Sequence, residues 1–272
     1  RRSIHAVRRS LTAGSWKKAH ATFYEGNTNR GACNYKDVVG EGYGTKTAAL
    51  SSVLFQDGKS CGACFEIQCI DNPEGCKPGQ PSLIVTATDF CPPNPSLPND
   101  KGGWCNQPRE HFDIAKPAFG EIAEYKAGII PIQYRRPFLT HQHNTLHITR
   151  THLLNQLTLD GFDSSHYRVP CSKQGGIRLT ITGNPYFYQV KLSNVGGAGD
   201  VVGVEVRGHD KLQNWTEMEH DWGATWKTSA ILQNESLTFR VKTSDNRSIT
   251  LKDVAPQSWQ FGKTYEGAGA NF

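Results

Sequence analysis

The sequence has only one methionine, no long hydrophobic run and, after Cys171, no cysteine. A single methionine among 272 residues, beside 27 glycines and 14 prolines, argues against a helical bundle and favours short strands joined by turns. No stretch approaches the roughly 18 consecutive apolar residues that a membrane-spanning helix needs. The sequence therefore predicts a mostly β chain without an integral membrane span.

Most of the chain also lacks the excess of basic residues that nucleic-acid binding requires. The formal net charge is +5, but six of the 30 basic residues lie before Ala19, with no acidic residue among them. The six are Arg1, Arg2, Arg8, Arg9, Lys17 and Lys18. The rest of the chain has 24 basic and 25 acidic residues, a net charge of −1, which argues against a nucleic-acid partner. Residues 1–19 are expected to form a basic, flexible N-terminal segment.

Seven of the eight cysteines lie between Cys33 and Cys105, and the eighth is Cys171. An even number of cysteines in a region rich in glycine and proline is typical of a disulfide framework. Zinc is the alternative, because Cys61-Gly62-Ala63-Cys64 is a C-x-x-C motif. The remaining spacings give no second C-x-x-C, so disulfides are favoured and no metal is expected.

Three sequons agree with an oxidising, extracellular compartment. They begin at Asn214, Asn234 and Asn246, which are candidate glycosylation sites. The sequence shows no apolar signal core at its start, so a signal peptide has been removed or lies outside it. We expect a secreted protein.

The first part of the chain predicts a β unit with small helices. Leu83–Thr88 and Ala127–Arg136 have the pattern of strands, whereas Thr45–Phe55 has that of a short helix capped by Thr45 or Thr47. We assign residues 20–175 to this domain.

From Gly176 onwards the chain consists of short runs rich in β-branched and aromatic residues, separated by glycine, asparagine and aspartate. The runs are Ile177–Thr182, Tyr186–Asn194, Val201–Arg207, Leu237–Thr243 and Ile249–Val254. This pattern predicts an antiparallel β-sandwich over residues 176–272.

An atypical insertion over about 137–168 precedes Cys171. A Tyr-Arg pair stands at each of its edges, and five of the ten histidines lie within it. His143 and His147 have the i, i+4 spacing of a helical metal site. A polar surface loop is the favoured interpretation, because neither a cysteine nor a carboxylate pair completes a ligand set.

A series of motifs, in order, resembles one known family. The motifs are Thr22-Phe23-Tyr24, Gly31-Ala32-Cys33, Cys61-Gly62-Ala63-Cys64-Phe65-Glu66, Cys91-Pro92-Pro93-Asn94, Gly102-Gly103-Trp104-Cys105-Asn106, His111-Phe112-Asp113, Gly175-Gly176-Ile177-Arg178, Gly183-Asn184-Pro185-Tyr186-Phe187, Trp222-Gly223 and Trp259-Gln260-Phe261-Gly262. Together they resemble an α-expansin, a plant protein that loosens cell walls. The resemblance covers about 20–136 and 169–272.

This resemblance implies an all-β fold: a six-stranded double-psi β-barrel related to family-45 endoglucanases, followed by a cellulose-binding β-sandwich. It also implies four disulfides, whose pairs the spacing alone does not determine. They are Cys33–Cys61, Cys64–Cys171, Cys69–Cys76 and Cys91–Cys105.

The resemblance further implies a glucan groove on the barrel. Asp113 matches the family's proton-donor position, although an aspartate there also suits a helix cap. Asp89 would line the same groove, and Thr22, Tyr24 and His111 would supply hydrogen bonds around the donor.

The second carboxylate that glycoside hydrolysis requires is missing from its expected position. In the related hydrolases the base lies two residues after the tyrosine that matches Tyr24, and here Gly26 takes that place. Glu25 is one residue away, but neighbouring strand residues face opposite sides, so it is expected to point away from the groove.

Aromatic residues are numerous in the second domain, and aligning the motifs places the family's polysaccharide-binding aromatics at Phe187 and Trp222, with Phe23 added from the barrel. Alternation along the strand predicts that Tyr186 and Tyr188 face away from Phe187. Trp226 and Trp259 suit the core of the sandwich.

The function implied is loosening of the plant cell wall without hydrolysis, by disruption of non-covalent contacts between cellulose and matrix glucans during acid-induced wall extension. The partners implied are cellulose and xyloglucan-type wall polysaccharides. We expect a monomer in the cell wall with no cofactor. An active endo-β-1,4-glucanase and a glucan-binding wall protein without loosening activity remain as alternatives. A barwin-like defence protein shares the barrel but lacks the second domain.

Overall fold

The computed structural model describes residues 15–26, 31–136 and 171–272, and the backbone of two further strands, β1 (Val7–Ser10) and β8 (Gln142–Thr145). β1 and β8 pair with each other antiparallel. Most of the insertion, including His147, lies outside the described residues. No helix in these ranges is long and apolar enough to cross a membrane.

Six strands close into a barrel in the order β2-β6-β3-β5-β4-β7. They are β2 (Lys17–Tyr24), β3 (Thr47–Leu50), β4 (Cys64–Cys69), β5 (Ser82–Phe90), β6 (His111–Ala115) and β7 (Ile130–Arg135). β2 pairs parallel with β6, and β3 parallel with β5. β2 begins at Lys17, so the last three residues of the segment expected to be flexible belong to the barrel.

The barrel interior is filled from alternate positions of each strand, as the two-residue repeat of a strand requires. Ala21, Ala48, Phe112 and Ile114 are fully buried there, while their neighbours face outward. Two short helices, α1 (Ser52–Phe55) and α2 (Lys116–Ile122), and 3-10 turns at Gln56–Gly58 and Tyr125–Ala127 connect the strands.

The helix predicted over Thr45–Phe55 is wrong in its first half. Thr47–Leu50 is the strand β3, hydrogen-bonded to β5 on one side and β6 on the other, with all four residues buried. Only Ser52–Phe55 is helical, and its N-cap residue is Ser51. Completing the barrel on two sides outweighs the helical pattern of the local sequence.

The second domain is a sandwich of two antiparallel sheets. One sheet has the order β13-β14-β10-β9-β17 and the other β12-β11-β15-β16. The strands are β9 (Arg178–Asn184), β10 (Phe187–Ser193), β11 (Val201–Arg207), β12 (Thr216–Glu217), β13 (Glu219–Trp222), β14 (Thr225–Thr228), β15 (Leu237–Thr243), β16 (Ser248–Ala255) and β17 (Thr264–Glu266). Trp226 and Trp259 are buried in the core between the sheets, as predicted.

All eight cysteines form disulfides, in the four pairs that the resemblance implies: Cys33–Cys61, Cys64–Cys171, Cys69–Cys76 and Cys91–Cys105. No free thiol remains. The two cysteines of the C-x-x-C motif therefore belong to different disulfides and leave no thiolate for zinc.

The barrel and the sandwich are in direct contact. The amide of Ala224 donates to the carbonyl of Cys33 over 3.2 Å, and Lys191 pairs with Glu41 at 2.6 Å. Gly58 and Gly223 approach so closely that a Cβ on Gly58 would lie 2.5 Å from the nitrogen of Gly223. This contact requires glycine at position 58, which also has a φ of +87°.

Candidate functional site

Four side-chain positions form a row across the outside of the barrel. Thr22 on β2 lies opposite Asp113 on β6, Asp113 lies opposite Ala49 on β3, and Ala49 lies opposite Asp89 on β5. Facing residues of paired strands point to the same side of a sheet, and the neighbours of these residues fill the barrel interior. The row therefore forms the floor of a groove, and Ala49 leaves space between the two carboxyl groups.

A chain of hydrogen bonds joins three of the predicted groove residues. The Thr22 hydroxyl donates to Oδ1 of Asp113 over 2.9 Å, and it lies 2.8 Å from Nε2 of His111. A hydroxyl has one hydrogen to donate, so Thr22 accepts its second bond from the Nε2–H of His111. Nδ1 of His111 is buried and has no hydrogen-bond partner within the described part of the chain.

His111 is uncharged at any pH at which the protein is expected to work. Burial, reinforced by the positive charge of Arg109 and by His20, lowers the pKa of His111 to about 3. A neutral imidazole carries one N–H, and the contact with Thr22 places it on Nε2. The hydroxyl of Thr22 is thereby directed at Asp113.

Asp113 is half-buried, and its pKa is raised. Loss of solvent is the main cause and the charge of Asp89 adds to it, while the hydrogen bond from Thr22 lowers the pKa of Asp113 in opposition. A carboxyl group in this environment keeps its proton to a higher pH than an exposed aspartate. It is therefore suited to donating a hydrogen bond or a proton under mildly acidic conditions.

Asp89 also holds the neighbouring backbone. Its Oδ1 accepts the amide hydrogens of Ala32 at 2.7 Å and Phe90 at 2.8 Å. Gly31 packs over the end of β5, where a Cβ would lie 2.6 Å from the carbonyl oxygen of Thr88. Asp89 thus lines the groove and fixes the loop that leads to Cys33.

Tyr24 and Phe23 face opposite sides of β2. Tyr24 is half-buried and lies on the same face as Thr22, two residues further along the strand. Phe23 lies on the opposite face and is half-buried, with its ring 4.9 Å from that of Phe119 and 5.4 Å from that of Tyr125. Phe23 is therefore separated from the groove row.

The position expected for a catalytic base holds a glycine in a left-handed conformation. Gly26 has a φ of +76°, and a Cβ there would lie 3.0 Å from the Cβ of Ala115. Glu25 is exposed and forms an ion pair of 2.7 Å with Lys116, at the first residue of α2. The Glu25 carboxylate is thus held against the start of α2.

Two aromatic side chains lie exposed on the outer face of the sheet β13-β14-β10-β9-β17. Phe187 is 39% exposed and Trp222 is 42% exposed. The register places Trp222 opposite Thr225 and Thr225 opposite Lys191, four residues beyond Phe187. With ~3.3 Å per residue and ~4.8 Å per strand, the two aromatics are roughly 16 Å apart. We call this surface the aromatic platform.

Polar side chains connect the two ends of the aromatic platform. Gln189 donates to Asp221 over 2.8 Å, and Lys227 pairs with Asp221 at 3.2 Å. The indole of Trp222 donates to the carbonyl of Ala32 over 2.8 Å, and the amide of Ala32 donates to Asp89. Trp222 is therefore tied through one residue to the groove of the barrel.

The prediction for Tyr188 is confirmed and that for Tyr186 is wrong. Tyr188 is fully buried in the sandwich core, on the face opposite Phe187. Tyr186 lies in the turn between β9 and β10 and is 85% exposed, because strand alternation ends at Asn184 and resumes at Phe187. Tyr125, 45% exposed beside Phe23, is a further surface aromatic that the motifs did not indicate.

The remaining predicted sites lie on the surface or outside the described residues. Asn214, Asn234 and Asn246 are all exposed. Among the residues that the structure describes, no group of three or more His, Cys, Asp or Glu could hold a metal ion. The side chains of His143 and His147 are not among those residues.

Comparisons with known proteins agree with this arrangement. A family profile for the expansin C-terminal domain matches residues 177–256, and a double-psi barrel profile described as lytic transglycolase matches residues 47–134. The chain is 50% identical to expansin-A32 of Oryza sativa subsp. japonica, over 99% of this chain and 89% of that protein. It is 41% identical to expansin-A22 of Arabidopsis thaliana, over 93% of this chain and 78% of that protein.

Two solved structures have the same two-domain fold. They are apo Clavibacter michiganensis expansin and a mutant of that protein in complex with cellohexaose. In each case the sequence identity is 17% and the TM-score 0.59, with 93% of this chain and 96% of the other covered. As the resemblance to α-expansins predicted, the chain belongs to the expansin family.

Proposed function

We propose that the protein loosens plant cell walls without hydrolysis, by disrupting non-covalent contacts between cellulose and xyloglucan-type matrix glucans during acid-induced extension. The observation that carries this proposal is the groove of the barrel, which has a donor-like Asp113 and a glycine where a base would stand. Such a groove binds a glucan chain and donates a hydrogen bond to it from Asp113, but it has no group at position 26 that activates water.

Glu25 does not compensate for the missing base. Glu25 comes directly after the end of β2, and its carboxylate is bound to Lys116 of α2. Asp89 is the other carboxylate of the row, and its Oδ1 is held by two backbone amides. Without a positioned base, hydrolysis loses a factor of roughly 10²–10⁴ from that group alone.

The aromatic platform supplies the affinity for cellulose. Flat rings stack on the apolar faces of glucose units and bury a large area at a small cost in side-chain entropy. Phe187 and Trp222 are exposed on one face, and the link from Trp222 through Ala32 to Asp89 brings the platform to the groove. The cellohexaose complex of the bacterial expansin supports a glucan ligand for this fold.

Loosening then follows from differential binding. A glucan chain held across the barrel groove and the platform exchanges its hydrogen bonds with neighbouring chains for contacts with the protein. Binding that favours the separated chain shifts the equilibrium away from glucan–glucan association. Under tension, the wall polymers then move past one another.

Replacement of Trp222 by alanine is expected to weaken binding to cellulose about tenfold, because it removes an exposed ring from one end of the platform. Trp222→Phe is the matched control, since it keeps a ring but loses the indole hydrogen bond to Ala32. It should retain most of the affinity. Depletion binding to microcrystalline cellulose measures both variants, and equal binding by Trp222→Ala and the wild type would contradict the role of Trp222.

The proposal is tested by the creep of heat-inactivated wall specimens under constant load. Added protein should cause sustained extension at mildly acidic pH and much less at neutral pH. Binding to the specimens without any extension would favour the alternative of a glucan-binding wall protein. Release of reducing sugar would favour the endo-β-1,4-glucanase.

The cell-wall location is part of the same proposal. Four disulfides and three exposed sequon asparagines support passage through the secretory pathway of a plant cell. We propose a secreted monomer that needs no cofactor for the loosening described above.

A further inference from the structure

A large cleft lies beside the aromatic platform, between the barrel and the sandwich. Its volume is about 1150 Å³. One wall is the barrel loop from Gly31 to Glu41, and the other is the outer face of strands β9, β10 and β17. The groove residues Thr22, Asp89 and Asp113 do not line it, nor do Phe187 and Trp222.

Hydroxyl and amide groups dominate the sandwich wall of the cleft. Thr180, Thr182, Thr264 and Gln189 line it, and Thr180 and Thr264 lie 2.8 Å apart across neighbouring strands. Among the residues that the structure describes, Tyr35 is the one aromatic residue in the lining, and it is only 1% exposed. The described lining therefore offers hydrogen bonds to the edges of a ligand and includes no exposed ring on which a flat sugar face can stack.

Most of the charged groups around the cleft are already paired. Lys191 is bound to Glu41 at 2.6 Å, and Arg178 to Glu266 at 3.2 Å. The other charged residues described in the lining are the exposed Lys36 and Asp37, and Oδ1 of Asp37 accepts the amide hydrogen of Gly40. Paired charges give little attraction to an ionic ligand. The bond between Thr180 and Thr264 uses one of their two O–H groups, and Gln189 uses one of its two N–H groups, so hydrogen-bonding capacity remains for an uncharged, polyhydroxylated ligand.

The cleft opens directly onto the aromatic platform. Gln189 belongs to both, since it lines the cleft and also donates to Asp221 beside Trp222. Thr225 lines the cleft and lies opposite Trp222 in the pairing of β13 with β14. A glucan main chain on the platform thus has this cleft at its side.

We propose that the cleft binds the sugar side branches of an uncharged, branched β-glucan whose main chain lies on the aromatic platform. The inference rests on the proposed function, which places a glucan on Phe187 and Trp222, and it adds a preference for a branched chain. The site is built from both domains, so an occupied cleft also holds the barrel and the sandwich in one relative orientation.

The test compares two ligands with the same main chain, xyloglucan heptasaccharide, which carries xylose branches, and unbranched cellotetraose. Wild-type protein should bind the heptasaccharide at least about fivefold more tightly than cellotetraose by isothermal titration calorimetry, as expected for a few additional hydrogen bonds. The double substitution Thr180→Val with Thr264→Val keeps the branched shape that suits strands but removes both hydroxyls. It should abolish the preference for the heptasaccharide and leave cellotetraose binding unchanged.

Two further variants keep the result interpretable. Thr182→Met places a longer side chain in the cleft and should also abolish the preference for the heptasaccharide. Thr250→Val, at an exposed position of β16 on the other sheet, should change neither affinity. Thermal unfolding establishes that each variant is folded.

Equal affinity of the wild type for the two ligands would overturn the inference while leaving the proposed function intact. An equal loss of affinity for both ligands in the folded Thr180→Val, Thr264→Val variant would also overturn it. Failure of the wild type to bind either ligand would overturn the proposed function, and the inference with it.

Discussion

Replacement of Asp113 by asparagine is expected to reduce acid-induced wall extension by about tenfold or more, because an amide is a weaker hydrogen-bond donor than a protonated carboxyl group. What extension remains should no longer depend on pH, since the amide does not titrate. Creep of heat-inactivated wall specimens, recorded from mildly acidic to neutral pH, measures both effects. Full extension with the wild-type pH profile would contradict the role of Asp113.

A loss of extension in this variant does not reflect unfolding. The pKa of Asp113 is raised in the folded state, so its ionised form costs folding free energy once the pH exceeds that pKa. Asparagine removes this cost and still accepts the hydrogen bond from Thr22. At neutral pH the Asp113→Asn protein should therefore be at least as stable as the wild type.

Thr22→Val provides a second test, in which the direction of the shift in pH dependence is predicted. The hydrogen bond from Thr22 lowers the pKa of Asp113, so its removal raises that pKa further. The fall in extension between acidic and neutral pH should then occur at higher pH. Thr22→Ser retains a hydroxyl, so its extension should fall at nearly the same pH as that of the wild type.

Replacement of His111 by glutamine is expected to make folding stability much less sensitive to acid. His111 has a pKa of about 3 when buried and an ordinary value of 6.5 when unfolded. Between these values the unfolded chain binds a proton that the folded chain does not, so stability falls as the pH falls. From pH 7 to pH 5 this effect amounts to about 2 kcal/mol in the wild type.

Urea unfolding at pH 7 and pH 5 measures this difference. Glutamine can still donate a hydrogen bond to Thr22 and carries no titrating group. Between pH 7 and pH 5, the free energy of unfolding of His111→Gln should therefore fall by about 2 kcal/mol less than that of the wild type. His209 is exposed, and His209→Gln serves as the control that should behave like the wild type. The same acid sensitivity in His111→Gln and the wild type would contradict a buried neutral histidine.

Much of the fold could be predicted from the sequence, because its patterns arise from local physical constraints. The strand runs of the sandwich reflect a core that is filled from alternate residues, and Tyr188 and Trp226 lie in that core as expected. Thr47–Leu50 was mispredicted because the barrel, and not the local sequence, decides its conformation. No local pattern reveals that β3 has strands on both sides.

The groove could be predicted only through the resemblance. Thr22 and Asp113 are 91 residues apart in the chain, and only the parallel pairing of β2 with β6 places them 2.9 Å apart. Phe23 alternates with Thr22 along β2 and therefore lies on the face opposite the groove row. A motif alignment transfers residue identities but not the direction in which each side chain points.

The cleft had no signal in the sequence, whereas Asn184-Pro185 is a turn signal that indicates the exposure of Tyr186. The cleft arises where a barrel loop meets the face of a sheet, so its lining residues are scattered between Gly31 and Thr264. Tyr186 is exposed because a tight turn interrupts the alternation of β9 and β10. The cleft depends on packing between distant segments, whereas the exposure of Tyr186 depends on a local turn.

The chain length of a glucan during incubation with the protein tests the central claim most directly. Soluble xyloglucan and amorphous cellulose are incubated at acidic pH with a preparation that extends wall specimens, and polymer size is followed by size-exclusion chromatography. Because Gly26 supplies no base, polymer length should stay constant while the walls extend. A steady fall in polymer length, lost in Glu25→Gln, would show that this protein cuts glucan and would contradict loosening without hydrolysis.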